Sequence, residues 1–484
     1  MISIMKFLSK INKSNYLAFF ICFLFFIAYL ILVLVKHFYF GTGYDLSIVD
    51  QIVWKYSQFK TPITTIQFYP FTSLLTDHVE LIYILIAPFY WLYNNVLTLL
   101  VLQTLLVSFS GIPIYLLARK KSINLWLSFS LLISYLMFYG IQNALWSDVH
   151  SLAFGASFLA WLIYFLNSKN TRWIFITFFL TIICKEDMAF LTLLIGFIYF
   201  LINRNKTAVY LIGLSLAYLF AIFYVYFPHF TQDGYRYMAK DGLFSNLKFS
   251  YYYDSFDKRS VILYSVAWFG FLPLLAPLFL LPAFGDVTHY FIFGHLVTGA
   301  QGLFEHYRIT LAPLLVLPTI IVISKYKHLN TKLVAIYIII FALIFQYILH
   351  LPLSYLGKGW FWHEPVSVKD IQLIIKDIPE DASVVSQNNI IPHIAHRDQI
   401  FTLWPDNKNF INNSPCGKPT CNWFRWAGNP EFLVVDTASD WDIRHLLANR
   451  PDFIDGLNNL QKEGIIKEYK QINTAILYKI IKHP

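Results

Sequence analysis

The chain has 484 residues, of which 57% are hydrophobic and only 13% charged, and its formal net charge is +9. This composition excludes an ordinary soluble domain and indicates a polytopic α-helical membrane protein. The lysines and arginines lie in short clusters between apolar runs, as in the cytoplasmic loops of membrane proteins, so the positive charge predicts no nucleic-acid partner.

The first apolar run extends from about Tyr16 to Val35 and follows a basic segment. It is too long for a typical signal-peptide core and lacks a small-x-small cleavage site, so we expect a retained membrane helix whose basic end lies in the cytoplasm. The chain then enters a first outer loop, 40–94, in which the apolar run 79–92 is too short to cross a bilayer.

Further apolar runs bring the expected number of crossings to about 11. The stretch 260–286 contains Pro273 and is compatible with one kinked helix or with a hairpin. The hairpin gives 11 crossings and an exterior carboxyl terminus, whereas a single helix places the terminus in the cytoplasm. The other runs expected to cross are 95–117, 123–139, 151–167, 172–184, 188–203, 207–227, 307–324 and 331–350.

The composition changes near residue 351 and divides the chain into a transmembrane domain, 1–350, and an extracytoplasmic domain, 351–484. In the second domain "VKDIQLIIKDI" has helical periodicity, and "ASVVS", "FLVVD" and "TAILYKI" have the composition of strands. Two further helices are expected in "DWDIRHLLANR" and "FIDGLNNLQKE". These patterns predict a small soluble α/β domain.

The four cysteines are a weak guide to location. Cys22 and Cys184 lie in apolar runs, where cysteine usually acts as a small hydrophobic residue. Cys416 and Cys421 flank "GKPT", where they form a disulfide loop or remain free thiols. A disulfide there would agree with an oxidising outer compartment.

Ionisable residues of the membrane domain are expected to collect on the outer face. Charges inside a bilayer are costly, so such groups are placed at an interface, in a cavity or at a working site. The residues concerned are Asp45 and Asp50 in "GYDLSIVDQIVW", His78 in "LTDHVE", Asp148 and His150 in "WSDVH", Lys185, Glu186 and Asp187 in "CKEDMAF", and Glu305, His306, Tyr307 and Arg308 in "FEHYR".

Each of these motifs also has a structural interpretation. Asp45 begins an amphipathic helix and serves either as a cap or first-turn charge or as a functional group. Asp148 and His150 share one side of an extended segment, which suits a metal or phosphate contact or a solvated loop. Lys185 and its acidic neighbours either join two helices or bind a phosphate, and Arg308 either anchors a helix at the interface or binds phosphate in a bidentate manner.

Motifs for common soluble cofactors are absent from the sequence. It contains no Walker P-loop, no dinucleotide glycine fingerprint, no HExxH and no GxSxG. ATP-driven transport and soluble-cofactor redox chemistry are therefore disfavoured.

The segments "GYDLSIVDQIVW", "SDVHSLAF", "CKEDMAF" and "EHYRITLAPLLVLP" occur in an order that resembles an uncharacterised family of bacterial and archaeal polytopic membrane proteins, the domain of unknown function twenty seventy-nine. The resemblance extends from about residue 40 to residue 436. That family is itself similar to the GT-C superfamily of integral-membrane glycosyltransferases, which take sugars from polyprenyl-phosphate donors at the outer face.

The resemblance implies a membrane glycosyltransferase of the cytoplasmic (plasma) membrane with a polyprenyl-phosphate sugar donor. It implies an acidic catalytic residue in the first outer loop, for which Asp45 is the first candidate and Asp50 the second. The first outer loop lacks the paired acidic motifs of several GT-C families. The remaining residues receive roles in the proposed site: Lys185, Glu186, Asp187, His306, Tyr307 and Arg308 bind substrate. His78, Asp148 and His150 bind either a divalent cation, Mg or Mn, or the sugar hydroxyls.

The expected partners are membrane lipid, the lipid-linked donor, and a glycan, lipid or protein acceptor. An alternative function is a non-catalytic transporter or lipid-handling protein that binds an anionic head group, because buried ionisable residues also serve ion pathways. A membrane scaffold that presents its α/β domain to partners is a third alternative, although it does not account for the outer-face charges.

Overall fold

The computed structural model describes residues 13–66, 73–231, 234–235, 249–293, 300–326, 330–405, 424–426, 428–438 and 450–482. The chain divides into two compact units. The first, here the helical unit, comprises Met1–Val33, Leu75–Ile82 and Leu100–Lys358; the second, here the α/β unit, comprises Leu34–Leu74, Tyr83–Leu99 and Gly359–Pro484. Most of the predicted first outer loop, 40–94, therefore folds with the carboxyl-terminal part of the chain.

The fold class expected from composition is confirmed: the protein is a multi-pass helical membrane protein with a small carboxyl-terminal sheet domain. Among the described residues, eight helices are long and apolar enough to cross a membrane. They are Lys13–Phe38, Leu97–Lys120, Leu125–Trp146, Ser151–Ser168, Glu186–Asn203, Lys206–Phe230, His306–Lys325 and Thr331–Ile348. Several are built from shorter helical pieces: Leu97–Phe109 with Gly111–Lys120, Leu125–Leu136 with Tyr139–Trp146, and Lys206–Phe220 followed by the π-helical turn Ala221–Tyr226 and Phe227–Phe230.

The predicted total of about 11 crossings is not confirmed. The run 172–184 forms the helix Thr171–Ile182, and 260–286 forms parts of Phe256–Ala267 and Leu281–Phe293. These helices have 12, 12 and 13 residues, whereas a spanning helix needs roughly 20. The remaining eight predicted crossings each coincide with one of the eight long helices.

The chain between Phe256–Ala267 and Leu281–Phe293 turns where the sequence predicted a hairpin. Gly270 and Phe271 both adopt left-handed backbone angles, with φ of 63° and 60°. Two 3-10 turns follow, Leu272–Leu275 and Pro277–Leu280, each with a proline in its first turn. Since proline lacks the N–H that continues a helix and a left-handed residue ends one, this segment is not a single kinked helix.

Of the four cysteines, the structure describes the two in the apolar runs. Cys22 and Cys184 are buried free thiols, in agreement with their prediction as small hydrophobic residues. Cys416, Cys421 and most of the predicted helix 440–450 lie outside the described residues.

A close contact within the helical unit sets the position of the segment that carries Tyr307 and Arg308. The helix Tyr139–Trp146 packs against the 3-10 turn His306–Thr310. The two backbones meet at Gly140, where an added Cβ would lie 2.2 Å from the Arg308 carbonyl oxygen. Only glycine permits such an approach of two backbones.

The described strands of the α/β unit are β1 Val384–Ser386, β2 Ile400–Thr402, β3 Trp404–Pro405, β4 Phe424–Arg425, β5 Phe432–Asp436, β6 Ile466–Ile472 and β7 Ala475–Ile480. Five of them form a sheet with the order β2-β1-β5-β7-β6. β1 pairs in parallel with β2 and β5, and β7 pairs antiparallel with β5 and β6. The two-stranded sheet β3-β4 is antiparallel.

The helices of the α/β unit cover the sheet or support the first loop. Ser367–Ile375 buries Val368, Ile371 and Ile374 at helical spacing and packs on the sheet. Arg450–Lys462 joins the core of the sheet through Phe453 and its apolar neighbours. Two further described helices of the unit are Tyr44–Ser57 and the short Ile82–Ile86, which begins at the boundary of the two units and continues as the 3-10 turn Ala87–Trp91.

Candidate functional site

The motif Lys185-Glu186-Asp187 lies at the amino-terminal end of the membrane helix Glu186–Asn203. Glu186 is fully buried and accepts three hydrogen bonds. His78 Nδ1 is 2.6 Å from its Oε1, Tyr235 donates to the same oxygen at 2.7 Å, and the Val79 N–H donates to Oε2 at 3.1 Å. With both oxygens occupied and no exposed surface, Glu186 holds neighbouring segments together and does not meet a ligand directly.

The interaction with Glu186 also determines the charge of His78. Burial and the nearby Lys185 lower the pKa of His78, but the Glu186 carboxylate and its hydrogen bond outweigh them, so the pKa lies above the ordinary 6.5. His78 thus forms an ion pair with Glu186 when it is protonated. Glu80, two residues later, is bonded to Ser151 Oγ at 2.5 Å, and burial raises the pKa of its carboxyl group.

Lys185 and Asp187 form the part of the motif that a ligand can reach. Their Nζ and Oδ2 atoms are 3.5 Å apart, and their side chains keep 9% and 10% of their surface exposed, whereas Glu186 keeps none. Burial alone would lower the pKa of Lys185, but Asp187 and the other nearby anionic groups hold it above its ordinary value. Lys185 is therefore a permanent cation in a nearly dry environment.

Residues from two later segments complete this cluster. His289 Nε2 lies 3.2 Å from Asp187 Oδ1, and Tyr290 donates to Asp187 Oδ2 at 3.3 Å. The Lys185 ammonium lies 5.4 Å from the centre of the Tyr307 ring, a cation–π distance. We call Lys185, Asp187, His289, Tyr290 and Tyr307 the lysine cluster.

Next to Tyr307, the structure brings together two predicted histidines. The rings of His150 and His306 stack with their centres 3.6 Å apart and their planes at 1°. Gln103 fixes the loop that carries His150, since it accepts from the His150 N–H at 2.9 Å and donates to the Asp148 carbonyl at 3.2 Å. The predicted residues of four separate motifs thus do lie close together in the helical unit.

Arg308 is fully buried and supports the backbone. It donates from Nε to the Gly302 carbonyl at 3.0 Å and from a terminal nitrogen to the Ala300 carbonyl. Its guanidinium group lies 5.3 Å from the centre of the Tyr290 ring. In this arrangement Arg308 holds the 300–302 turn beside the lysine cluster, and its predicted bidentate phosphate contact would require it to give up these bonds.

The predicted metal ligands do not fit a metal centre. In the described parts of the chain, no three or more His, Cys, Asp or Glu side chains are arranged to hold a metal ion. His78 is engaged with Glu186, and His150 Nε2 lies 3.2 Å from Ser147 Oγ. No reaction step is therefore derived through Mg or Mn at His78, Asp148 and His150.

Asp45 and Asp50 lie in the α/β unit, on the helix Tyr44–Ser57. Asp45 lies in the first turn and is partly buried, and Gly43, not Asp45, occupies the cap position. Asp50 is 1% exposed, and its Oδ1 accepts from Tyr90 at 2.5 Å and lies 2.9 Å from His396 Nε2. Asp50, the second candidate for the acidic catalytic residue, is thus the one whose carboxylate contacts an imidazole.

A cavity of about 810 Å³ opens beside this pair. Its lining includes Asp50, Trp54 and His396, and also His393, whose ring stacks on His37 with the ring centres 4.2 Å apart. His396 keeps 23% of its side-chain surface exposed, against 1% for Asp50, so the imidazole is the group of the pair that faces an incoming molecule.

We expect the stability of the α/β unit to fall with rising pH because of this pair. Burial opposes protonation of His396, but the Asp50 charge and hydrogen bond raise its pKa above the ordinary 6.5. The ion pair is complete below that ordinary value and is lost as pH rises through the raised pKa. Hydrogen exchange of peptides from 44–57 measures this effect, and Asp50→Asn should remove the pH-dependent part. If hydrogen exchange in Asp50→Asn depended on pH as it does in the native protein, the Asp50–His396 pair would not be the cause.

Several residues of these sites were missed at the sequence level. Tyr90, Tyr235, His289 and Tyr290 carry no motif that separates them from other aromatic residues in apolar runs. His393 and His396 gave the clearest available signal, since two histidines three residues apart interrupt the apolar segment "IIPHIAH". A polar side chain in a buried segment requires a partner, which here is Asp50 for His396.

A family model described as "Predicted membrane protein (DUF2079)" matches residues 36–423 of the chain. The match includes the motifs of both sites and agrees with the resemblance found from the sequence. No curated protein matches the chain.

Proposed function

Since the chain belongs to the DUF2079 family of predicted membrane proteins, we propose that it is a glycosyltransferase of the plasma membrane. In this proposal it moves a sugar from a polyprenyl-phosphate donor to an acceptor at the outer face, where the α/β unit also lies. The resemblance of the family to GT-C enzymes supports the reaction class. The observation that carries the proposal is Lys185, a buried cation with a small exposed surface at the end of a membrane helix.

The lysine cluster suits the phosphate of a membrane lipid. A buried ammonium group forms a strong charge-assisted hydrogen bond with phosphate, and the surrounding membrane helices are flanked by lipid chains. Asp187 holds Lys185 in place through the ion pair at 3.5 Å. The hydroxyl group of Tyr307 and the imidazole of His306 lie next to this position and are suited to the donor's sugar hydroxyls.

The proposed reaction is a displacement at the anomeric carbon. The acceptor oxygen forms a bond to that carbon, the bond from the carbon to the phosphate oxygen breaks, and its electron pair leaves with the polyprenyl phosphate. The resemblance implies that the acceptor proton passes to an acidic residue of the first outer loop, Asp45 or Asp50. Lys185 stabilises the charge that develops on the leaving phosphate.

We expect Lys185→Met to weaken binding of polyprenyl phosphate to the full-length protein in lipid nanodiscs. A hydrogen bond to a charged group contributes about 1.5–3 kcal/mol, so the dissociation constant should rise roughly ten- to a hundredfold. Lys258→Met is the matched control, because Lys258 is also buried in the helical unit but pairs with Asp254 and the Tyr251 carbonyl. If both variants lost the same affinity for polyprenyl phosphate, Lys185 would contribute only to the stability of the protein.

Transfer itself is tested with radiolabelled sugars on a panel of polyprenyl-phosphate donors. We expect transfer by the native protein and its loss in Asp50→Asn or Asp45→Asn, with the folded fraction unchanged. Transfer retained in both variants would exclude a first-loop base. Donor binding without transfer to any acceptor would overturn the transferase and favour a lipid-handling protein.

A further inference from the structure

The cavity of the α/β unit is a built site whose histidines, His393 and His396, have no part in the proposed reaction. Its volume of about 810 Å³ falls within the roughly 300–1,000 Å³ typical of small-molecule sites. We propose that it binds a saccharide, which under the proposed function is the acceptor or part of it. The role of the sugar as acceptor rests on the proposed function, whereas its binding to the cavity does not.

Hydrogen-bonding groups of complementary kinds face the cavity. The Asp50 carboxylate is covered by Tyr90 and His396, so the partly exposed His396 ring is the group of the pair that meets a ligand. His393 Nε2 is shielded from solvent and has no hydrogen-bond partner among the described residues. Burial and the neighbouring His37 hold the pKa of His393 well below 6.5, so its ring is neutral. A hydroxyl group, which both donates and accepts, satisfies an imidazole of either tautomer.

The rest of the lining combines amide and apolar surface. Asn94 and Gln58 offer side-chain amides, and Phe38, Trp54, Pro392 and Ile378 offer apolar atoms. Asn94 is exposed and caps no described helix, so its amide is available to a ligand. Sugar rings present hydroxyl groups at their edges and C–H groups on their faces, which matches a lining of this mixed kind.

The charges of the lining favour a neutral ligand over a phosphorylated one. Asp50 and Glu380 are balanced by Lys376 and Arg397, and the Asp50 charge is also met by His396. Arg397 is already engaged, since it donates to the carbonyls of Ile394 and Ala382 at 2.8 Å each. Two carboxylates of the lining therefore oppose a phosphate, and the one guanidinium that could bind it in a bidentate manner is already occupied.

The test is equilibrium dialysis of full-length protein in nanodiscs against radiolabelled di- and trisaccharides of glucose, galactose, mannose and N-acetylglucosamine. We expect at least one of them to bind and inorganic phosphate not to displace it. His393→Phe should weaken this binding by about tenfold, the equivalent of one hydrogen bond. The same variant should not lower the unfolding temperature, because phenylalanine keeps the ring contacts with His37 and Phe40 and removes an unsatisfied nitrogen.

His363→Phe is the matched control, since His363 is exposed in the same unit and does not line the cavity. It should leave binding unchanged. Failure of every saccharide to bind, both free and attached to a lipid in the nanodisc, would overturn the inference, as would displacement by phosphate or equal binding by His393→Phe. Polyprenyl phosphate binding that depends on Lys185 would still stand in that case, so the two proposals fail separately.

Discussion

Replacing Gly140 with alanine is expected to destabilise the helical unit by about 3 kcal/mol, at the upper end of the usual cost of overpacking. The added Cβ would lie 2.2 Å from the Arg308 carbonyl oxygen and 2.5 Å from its carbonyl carbon. Because these are backbone atoms, no side-chain rotation relieves the clash, and the helix Tyr139–Trp146 has to move away from His306–Thr310. Thermal unfolding of the protein in detergent measures the loss.

Gly213→Ala is the matched control for this substitution. Gly213 lies within the helix Lys206–Phe220, and an added Cβ there has no neighbouring atom within 4 Å. Alanine in a helix is favoured over glycine by roughly 0.5–1 kcal/mol, so this variant should be as stable as the native protein or more so. An unchanged unfolding temperature for Gly140→Ala would contradict the close backbone contact.

Glu186→Ala is expected to cost about 3–5 kcal/mol, the range for removing one partner of a buried ion pair. The substitution leaves His78 without its carboxylate and takes away the acceptor of the Val79 N–H and the Tyr235 hydroxyl. These groups lie in two segments, which Glu186 joins to its own helix. We therefore expect the loss to appear as cooperative unfolding of the helical unit at a lower denaturant concentration.

A double-mutant cycle separates the pair from other effects of truncation. His78→Ala combined with Glu186→Ala should cost less than the sum of the two single variants, with a coupling energy of about 1–3 kcal/mol. Asp257→Asn, which alters an exposed acid in the first turn of Phe256–Ala267, should change stability by less than about 0.5 kcal/mol. Additive single costs would show that His78 and Glu186 do not interact as described.

These contacts assign different roles to three adjacent residues of one motif. Glu186 connects segments and is closed to solvent, whereas Lys185 and Asp187 keep a small exposed surface. A variant of Glu186 should therefore lose stability first, and a variant of Lys185 should lose lipid binding first. From the sequence all three were predicted to bind substrate. Adjacent charges in an apolar run cannot be assigned different roles until the side chains they contact are known.

The two acidic residues of the first-loop helix, Asp45 and Asp50, also differ in their contacts. Asp45 and Asp50 lie five residues apart on one helix, and the sequence ranked Asp45 first from the family resemblance. The structure places Asp50 against Tyr90 and His396, which are distant in the sequence. Periodicity identifies a helix and its buried face, but it carries no information on which distant side chain meets that face.

The sequence by itself determined the class of protein, the family, eight membrane helices and the main strands of the α/β unit. These follow from local properties: apolar length, alternation and helical periodicity act within one segment of chain. The crossings predicted at 172–184 and 260–286 are not confirmed, since the helices there have only 12 or 13 residues.

Only the tertiary structure decided which ionisable groups are partners and which first-loop segments fold with the carboxyl-terminal sheet. Two of the bonds of Glu186 join residues more than 100 positions apart, and Asp50 meets His396 across 346 positions. A buried charge requires a partner because its desolvation is costly. A charged residue in an apolar run therefore predicts that a partner exists. The identity of the partner depends on how the helices pack, which is a property of the whole chain.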